Sequence, residues 1–272
     1  MKNFEEMTVR ELVELGGEAK SPQRVNSDKA FKARMRQEDK RTFVQVEDGG
    51  VKGMNKTLNL TQAGTFLSLL AYMDMNKEGL LYFNQKALSA KDIAELTGKS
   101  ARSVQTQISE LVSLGYVRSE KVGRSFQYYI DPRLASRGTR TEKDFFTKLY
   151  NIQLREKIKK LTVQELGLLF MMLPYFNTKF YALCRNPHEL DANKVELFDR
   201  ERFAEEVGIS LVQVKRLIAS LLKKQALVGL RTCRTALIIT PKLVSRQNRF
   251  VTIEEVTDVI GNELNVRERM EW

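Results

Sequence analysis

The stretch AELTGKS at residues 94–100 recurs 110 positions later as AEEVGIS at residues 204–210. The apolar positions after each copy keep the same spacing: Val104, Ile108 and Leu111 in the first, and Val214, Ile218 and Leu221 in the second. Further matches join 131–137 (DPRLASR) to 240–246 (TPKLVSR), and Leu60-Thr61 to Leu161-Thr162. A repeat of this length indicates two duplicated structural units in one chain.

The elements predicted around the first copy are those of a winged helix-turn-helix. Thr61 is the expected N-cap of an apolar helix, and a short strand follows at Leu80–Phe83. Ser89 begins a second helix that ends at Gly98, and Ser100 begins a third that stops at Gly115. Strands at 117–121 and 127–130 then enclose a turn, which predicts the hairpin called the wing.

The second copy predicts the same order of elements. Thr162 begins its first helix, which ends at Pro174, and Lys194–Phe198 supplies a short strand. Asp199 caps the second helix, Gly208 forms the turn, and Ser210 caps the third helix. A hairpin is expected from strands at 227–230 and 236–239.

The resulting fold class is mainly α with small β-hairpin wings (α+β), built from two tandem winged helix-turn-helix domains. The expected divisions are an N-terminal extension with a basic arm (1–56), winged-helix domain 1 (57–139), a connecting helix (140–160), winged-helix domain 2 (161–249) and an acidic tail (250–272). The extension includes a short helix at Thr8–Leu15 and a strand at Phe43–Val46 that ends in a turn at Asp48–Gly50. A helix is expected in the tail from Ile253 to Leu264.

The connecting helix is predicted from the near-helical spacing of five apolar positions: Phe145, Phe146, Leu149, Ile152 and Ile158. A stripe of this kind is typical of a helix buried against its own domains. A helix that binds a partner protein is the alternative.

The charge of the chain is concentrated in its central part. The net charge is +11, but residues 1–19 carry −3 and residues 250–272 carry −4, so residues 20–249 carry +18. A basic field of this size favours a polyanion, usually nucleic acid. Residues 20–41 alone hold eight Lys or Arg, which indicates either an arm that touches phosphates or a solvated leader.

The third helix of the first copy is the predicted recognition helix. Its polar positions are candidates to face a major groove: Arg102, Ser103, Gln105, Thr106 and Gln107. Arginine can pair bidentately with guanine, and glutamine with adenine. Ser100 places the helix N-terminus near a phosphate, while Lys99, Lys121 and Arg124 suit neighbouring phosphates or a minor groove.

The second copy departs from this pattern at the start of its recognition helix. Leu211 and Val212 stand where the first copy has Ala101 and Arg102. These apolar side chains either contact thymine methyl groups or pack against another subunit. The polar residues predicted to bind DNA are Ser210, Gln213, Lys215, Arg216, Arg231 and Arg234.

The composition argues against several other classes of protein. His188 is the single histidine, so a nickase with a histidine metal cluster is not expected, and no glycine-rich phosphate loop is present. Cys184 and Cys233 are too few for a disulfide framework, and Cys184 with His188 is a weak metal pair. We therefore expect no enzyme activity, no cofactor and no metal. No apolar run approaches a membrane span and no signal region opens the chain, so we expect a cytoplasmic, nucleoid-associated protein.

The first repeat resembles the winged-helix plasmid and phage replication proteins of the RepL type from Firmicutes. The resemblance runs from Phe43–Val46 to Gln127–Gly138 and rests on spacing and hydrophobicity. The tandem arrangement is also similar to iteron-binding initiators, which carry two winged helices in one chain. These resemblances imply binding to origin repeats, with host replication proteins as further partners.

Three functions follow as hypotheses, each with double-stranded DNA as the partner and a monomer or homodimer as the binding species. The first is a replication initiator that binds origin repeats. The second is a transcriptional repressor of a plasmid or phage with the same architecture. The third is a segregation or nucleoid protein that coats DNA with little sequence preference.

Overall fold

In its described residues, the first repeat folds into short strands and four helices, three of which are capped at the N-terminus by a polar side chain. The computed structural model describes residues 39–75, 78–138, 145–231 and 235–264. The first half contains β1 Phe43–Glu47, α1 Asp48–Met54, α2 Leu60–Leu70, β2 Tyr82–Phe83, β3 Lys86–Ala87, α3 Ala90–Thr97, α4 Ala101–Ser113, β4 Val117–Val122, β5 Ser125–Ile130 and β6 Ala135–Ser136.

The second repeat has the same order of helices, but two short 3-10 helices stand where the first repeat has the β2-β3 hairpin. It contains β7 Phe146–Tyr150, α5 Asn151–Lys160, α6 Val163–Met172, short 3-10 helices at Leu173–Tyr175 and Ala192–Lys194, α7 Arg200–Val207, α8 Leu211–Lys223, β8 Leu227–Arg231, β9 Thr235–Ile239 and β10 Val244–Ser245. The strand predicted at Lys194–Phe198 is wrong: Lys194 ends a 3-10 helix, and Leu197 forms only an isolated bridge with Cys184. The acidic tail begins with α9 Ile253–Glu263, close to the predicted helix. The fold class is therefore α+β with small antiparallel sheets, as predicted.

Helices α2 and α6 cross at the centre of the molecule. Nearly every residue of both helices is buried, which agrees with their apolar sequences. A Cβ atom on Gly64 would overlap the carbonyl oxygen of Val163, and one on Gly167 would overlap that of Leu60. Phe66 and Phe170 meet edge to face, with ring centroids 5.4 Å apart. Two glycines thus allow the two backbones to touch.

A four-stranded antiparallel sheet, in the order β10-β7-β1-β6, joins the two halves. Phe43 pairs with Tyr150. The counterparts of these two residues, 103 positions later and earlier, are Phe146 and Glu47, and they also pair with each other. At the centre, Gln45 pairs with Lys148, its own counterpart 103 residues later. Such a register is that of two strands related by a two-fold axis.

The outer strands obey the same symmetry. Ser136 of β6 pairs with Gln45, and Ser245 of β10, which lies 109 residues later, pairs with Lys148. Near the wings, the bridge between Leu80 and Tyr129 is matched by the bridge between Ala182 and Ile238. The two repeats therefore form an intramolecular pseudo-dimer with a local two-fold axis.

A buried ion pair also connects the halves. Arg246 donates to the carboxylate of Asp48 at 2.6 Å, and its side chain is only 3% exposed. The same guanidinium donates to the carbonyl oxygens of Phe176 and Leu173 at 2.7 and 3.1 Å. These hydrogen bonds compensate the buried guanidinium of Arg246 for its loss of contact with water.

The structure corrects the expected domain organisation. Of the described residues, those from Arg41 to Gln247 and from Val251 to Leu264 form one compact unit with a continuous apolar core, whereas two winged-helix domains were expected. The N-terminal extension was expected to reach residue 56, but β1 and α1 belong to this unit. Val44, Val46, Val51 and Met54 are buried in its core.

The connecting helix expected over 140–160 begins only at Asn151. Phe146–Tyr150 form β7 instead, because they pair along their full length with β1. The apolar stripe that suggested one helix is split between two elements: Leu149 and Ile158 are buried, whereas Phe145 and Ile152 are exposed.

Local predictions also differ at two helix starts. The turn expected at Asp48–Gly50 is the first turn of α1, because Val51 and Met54 anchor that helix in the core. Asn59, and not Thr61, caps α2, with its side chain accepting from the amides of Thr61 and Gln62. The helix predicted at Thr8–Leu15 and nearly all of the basic arm lie outside the described residues.

Candidate nucleic-acid interface

The first repeat contains a helix-turn-helix whose turn and caps are those predicted. The Ser89 side chain caps α3, and the backbone amide of Ser89 donates to the carboxylate of Asp92 at 2.9 Å. Gly98 ends α3 in the left-handed conformation, with φ 68° and ψ 29°. Ser100 then caps α4 by accepting from the amide of Ser103 at 3.2 Å. These contacts fix where the recognition helix starts.

Helix α4 buries one face and exposes the other. Val104, Ile108 and Leu111 pack into the core. Four of the predicted base-reading residues are exposed on the remaining surface: Arg102, Ser103, Gln105 and Thr106. Ser100 is exposed and Lys99 is half-buried beside them. The amphipathic pattern thus leaves a polar face of the kind a recognition helix needs.

Gln107 differs from these neighbours. It is half-buried, and its Oε1 atom is buried without a hydrogen-bond partner. It lines a groove of about 850 Å³ together with Ser210 and Gln213 of the second repeat. Gln107 therefore lines the groove between α4 and the second repeat, whereas Arg102 lies on the solvent-exposed face of α4.

Strands β4 and β5 form the hairpin predicted after the third helix of the first repeat. Lys121 and Arg124 are exposed at its far end, as a phosphate-binding role requires. The outer part of the hairpin also exposes Val122 and Phe126, of which Phe126 stands opposite Lys121. Arg118 of β4 is also exposed, and its guanidinium carbon lies 4.3 Å from the centre of the Tyr129 ring.

The second repeat has the same local geometry. Asp199 caps α7, and Gly208 ends it with φ 67° and ψ 31°, close to the values of Gly98. Ser210 caps α8 by accepting from the amide of Gln213 at 3.4 Å. The buried face of α8 consists of Val214, Leu217, Ile218 and Leu221. The matching turns explain why the two sequence copies align.

The exposed face of α8 is basic and carries one large apolar residue. Lys215 and Arg216 are exposed, and Arg216 donates to Oε1 of Gln164 at 3.2 Å. Ser210 is exposed, whereas Gln213 is half-buried at the groove. Val212 is 79% exposed. Arg231 ends strand β8 in register with Thr235, and Arg234 lies outside the described residues.

Equivalent contacts hold α4 against α2 and α8 against α6. In the first half, Gln62 of α2 donates to Glu110 of α4 at 2.8 Å. In the second half, Glu165 of α6 accepts from Ser220 and from Lys224 of the α8 C-terminus, the latter at 2.7 Å. Glu165 and Ser220 lie 103 and 110 residues after Gln62 and Glu110, so the contact of α6 with α8 is the counterpart of the contact of α2 with α4.

Glu165 carries a charge in a buried position. Burial favours its neutral form, but hydrogen bonds from Lys224 and Ser220 outweigh that effect and hold the pKa of the carboxyl below its ordinary 4.5. The C-terminus of α8 is therefore fixed to α6 by a charged hydrogen bond.

His188 and Cys184 have structural surroundings. The His188 ring stacks on Phe145 with centroids 3.5 Å apart, and burial together with nearby Arg246 lowers its pKa to about 4. Burial raises the pKa of Cys184 to about 12. Within the described ranges, His, Cys, Asp and Glu form no group of three suited to a metal ion.

Comparison with known proteins agrees with the geometry of the first repeat. Residues 56–117 match the family described as a helix-turn-helix domain, which spans α2 to the start of β4. No curated protein and no solved structure matches the chain. Across the part of the chain that is described, the helices lack the length and apolar character needed to cross a bilayer. The first half of the chain thus contains a helix-turn-helix domain, the kind of domain that binds DNA.

Proposed function

We propose that this protein binds specific sites on double-stranded DNA through two winged helix-turn-helix modules in one chain. Module 1 comprises α2 to β5, and module 2 comprises α6 to β9. The observation that carries the proposal is the local two-fold axis, which relates two recognition helices held by equivalent contacts. A single chain then does what a symmetric dimer does in other DNA-binding proteins.

The symmetry defines the form of the DNA site. Recognition helices related by a two-fold axis meet the two strands in opposite directions, so the half-sites should be inverted. The spacing of the half-sites follows from the separation of α4 and α8, whose side chains Gln107 and Gln213 line one groove. Because Arg102 and Val212 occupy equivalent positions, the two half-sites should differ in sequence.

Within this class, we propose replication initiation at a plasmid or phage origin as the leading function. Support comes from the resemblance of the first repeat to RepL-type replication proteins and of the tandem arrangement to iteron-binding initiators. A transcriptional repressor is the second candidate, because an inverted site read by a symmetric unit is equally suited to an operator.

The test is selection of bound fragments from random duplex DNA, followed by mapping of the selected site in the replicon that carries the gene. The proposal expects an imperfect inverted repeat bound by one chain. An array of such sites at the origin supports the initiator, and a lone site at the gene's promoter supports the repressor. Equal affinity for selected and random DNA would instead indicate a protein that coats DNA.

A further inference from the structure

Val212 is the most exposed of the large apolar side chains in the described residues, with 79% of its surface accessible. Its neighbour Leu211 packs partly against the core, and the next apolar residue, Val214, is buried. The exposure of Val212 is therefore not a consequence of a loosely packed helix. It results from the position of this residue on the outer face of α8.

The place of Val212 on α8 is that of a base-reading residue. It is the second residue of the helix, directly after the Ser210 cap and Leu211. Lys215 and Arg216 follow at spacings of three and four residues, so they share its face of the helix. In module 1 the equivalent face carries Arg102, Gln105 and Thr106.

We propose that Val212 reads a thymine by contacting its C5-methyl group in the major groove; this inference rests on the proposed function. The methyl group of thymine is the apolar feature of the major-groove edge, and apolar side chains are suited to it. We number the half-sites by the module that binds them. At the equivalent position of half-site 1, Arg102 suits a guanine. The two half-sites should thus differ at this position, with thymine in one and guanine in the other.

The charges around Val212 favour DNA over a second protein subunit. Lys215 and Arg216 are exposed beside it, so an apolar contact between two copies would bring like charges together. In a major groove the same cations would lie near phosphates while Val212 met the base edge. Val212 therefore suits the thymine methyl group, and Lys215 and Arg216 suit the phosphates of the neighbouring DNA backbone.

The probe is the selected duplex with each thymine of half-site 2 replaced in turn by deoxyuridine, which lacks only the methyl group. Affinity is measured for the native protein, for Val212→Ala and for Arg102→Ala. Burial of one methyl group corresponds to a change of about fourfold in Kd. In the native protein, one substitution should weaken binding by about that factor.

In Val212→Ala, the same deoxyuridine should have almost no further effect, while the matched variant Arg102→Ala should keep the full fourfold loss. The inference is overturned if Val212→Ala retains the loss, if no thymine of half-site 2 is sensitive, or if Val212→Ala changes the oligomeric state and leaves DNA binding intact. In each of these outcomes site-specific binding can persist. Failure of the proposed function is recognised separately, because no preferred sequence would be selected.

Discussion

Gly64 and Gly167 each lie against the backbone of the other's helix where α2 and α6 cross. Neither position has room for a Cβ atom, because the carbonyl oxygens of Val163 and Leu60 occupy that space. The crossing therefore sets the distance between the two halves of the chain. Because α4 is hydrogen-bonded to α2 and α8 to α6, the crossing also sets the distance between α4 and α8.

Gly167→Ala should push the two helices apart and destabilise the protein by about 1–3 kcal/mol, the usual cost of overpacking. Thermal unfolding followed by circular dichroism measures the effect, and a single transition is expected because the halves share one core. Gly261→Ala in α9 is the matched control: nothing lies within 4 Å of its Cβ position, so this change should be neutral or slightly stabilising. Equal stability of the two variants would show that the helices do not cross this closely.

Arg246→Met should destabilise the protein by about 3–5 kcal/mol, because it leaves Asp48 as a buried charge without its main partner. Urea unfolding gives the free energy, and the double variant with Asp48→Leu should recover part of the loss. The surface pair of Arg133 with Asp131 is the control, since Arg133 is 84% exposed and Arg133→Met should leave the free energy of unfolding almost unchanged. Similar losses for the two arginine variants would contradict the role given to the buried pair.

The Glu165 carboxyl should make stability depend on acidity. Its pKa is lower in the folded protein than in the unfolded chain, so its stabilising contribution is complete above about pH 4.5 and is lost as pH falls through the folded value. Glu165→Gln should therefore be less stable at neutral pH, by about 2 kcal/mol, and the difference from the native protein should shrink in acid. Urea unfolding at a series of pH values measures this. Glu156→Gln, at an exposed position of α5, should parallel the native curve; a constant gap for Glu165→Gln would argue against the charged contact.

Arg102→Ala should relax the preference for one or two base pairs in half-site 1 and weaken specific binding by ~1–3 kcal/mol. The reason is that its guanidinium is exposed on the first turn of α4, where recognition helices meet base edges. Competition binding with every base at each position of the half-site measures the change. Lys121→Ala on the wing should instead weaken binding to all sequences alike. If Arg102→Ala behaved in the same uniform way, base recognition by this residue would be rejected.

Local sequence signals were sufficient for the helix-turn-helix itself. Gly98 and Gly208 adopt the left-handed conformation that ends a helix, and Ser100 and Ser210 cap the helices that follow, as their residue types predict. These contacts join residues close in sequence. They are therefore visible in a short stretch of the chain.

The relation between the repeats could not be predicted in the same way, because it depends on contacts between distant residues. Phe146–Tyr150 have a helical apolar pattern but become a strand when β1 is available to pair with them. Likewise, nothing in the sequence around Gly64 or Gly167 indicates that each faces a backbone carbonyl from the other repeat. The exposure of Gln107 and Val212 could not be predicted either, because it depends on which elements pack beside each helix.

Binding of a single chain to sites with altered spacing tests the central claim most directly, namely that the two modules are held as one rigid unit with two-fold symmetry. Insertion of about five base pairs between the half-sites places them on opposite faces of the duplex, and an insertion of about ten restores the face but adds one turn. Modules fixed by the shared core should lose tight binding with both insertions, as measured by footprinting and by Kd. Unchanged affinity after the five-base-pair insertion would show that the two modules do not read the site together.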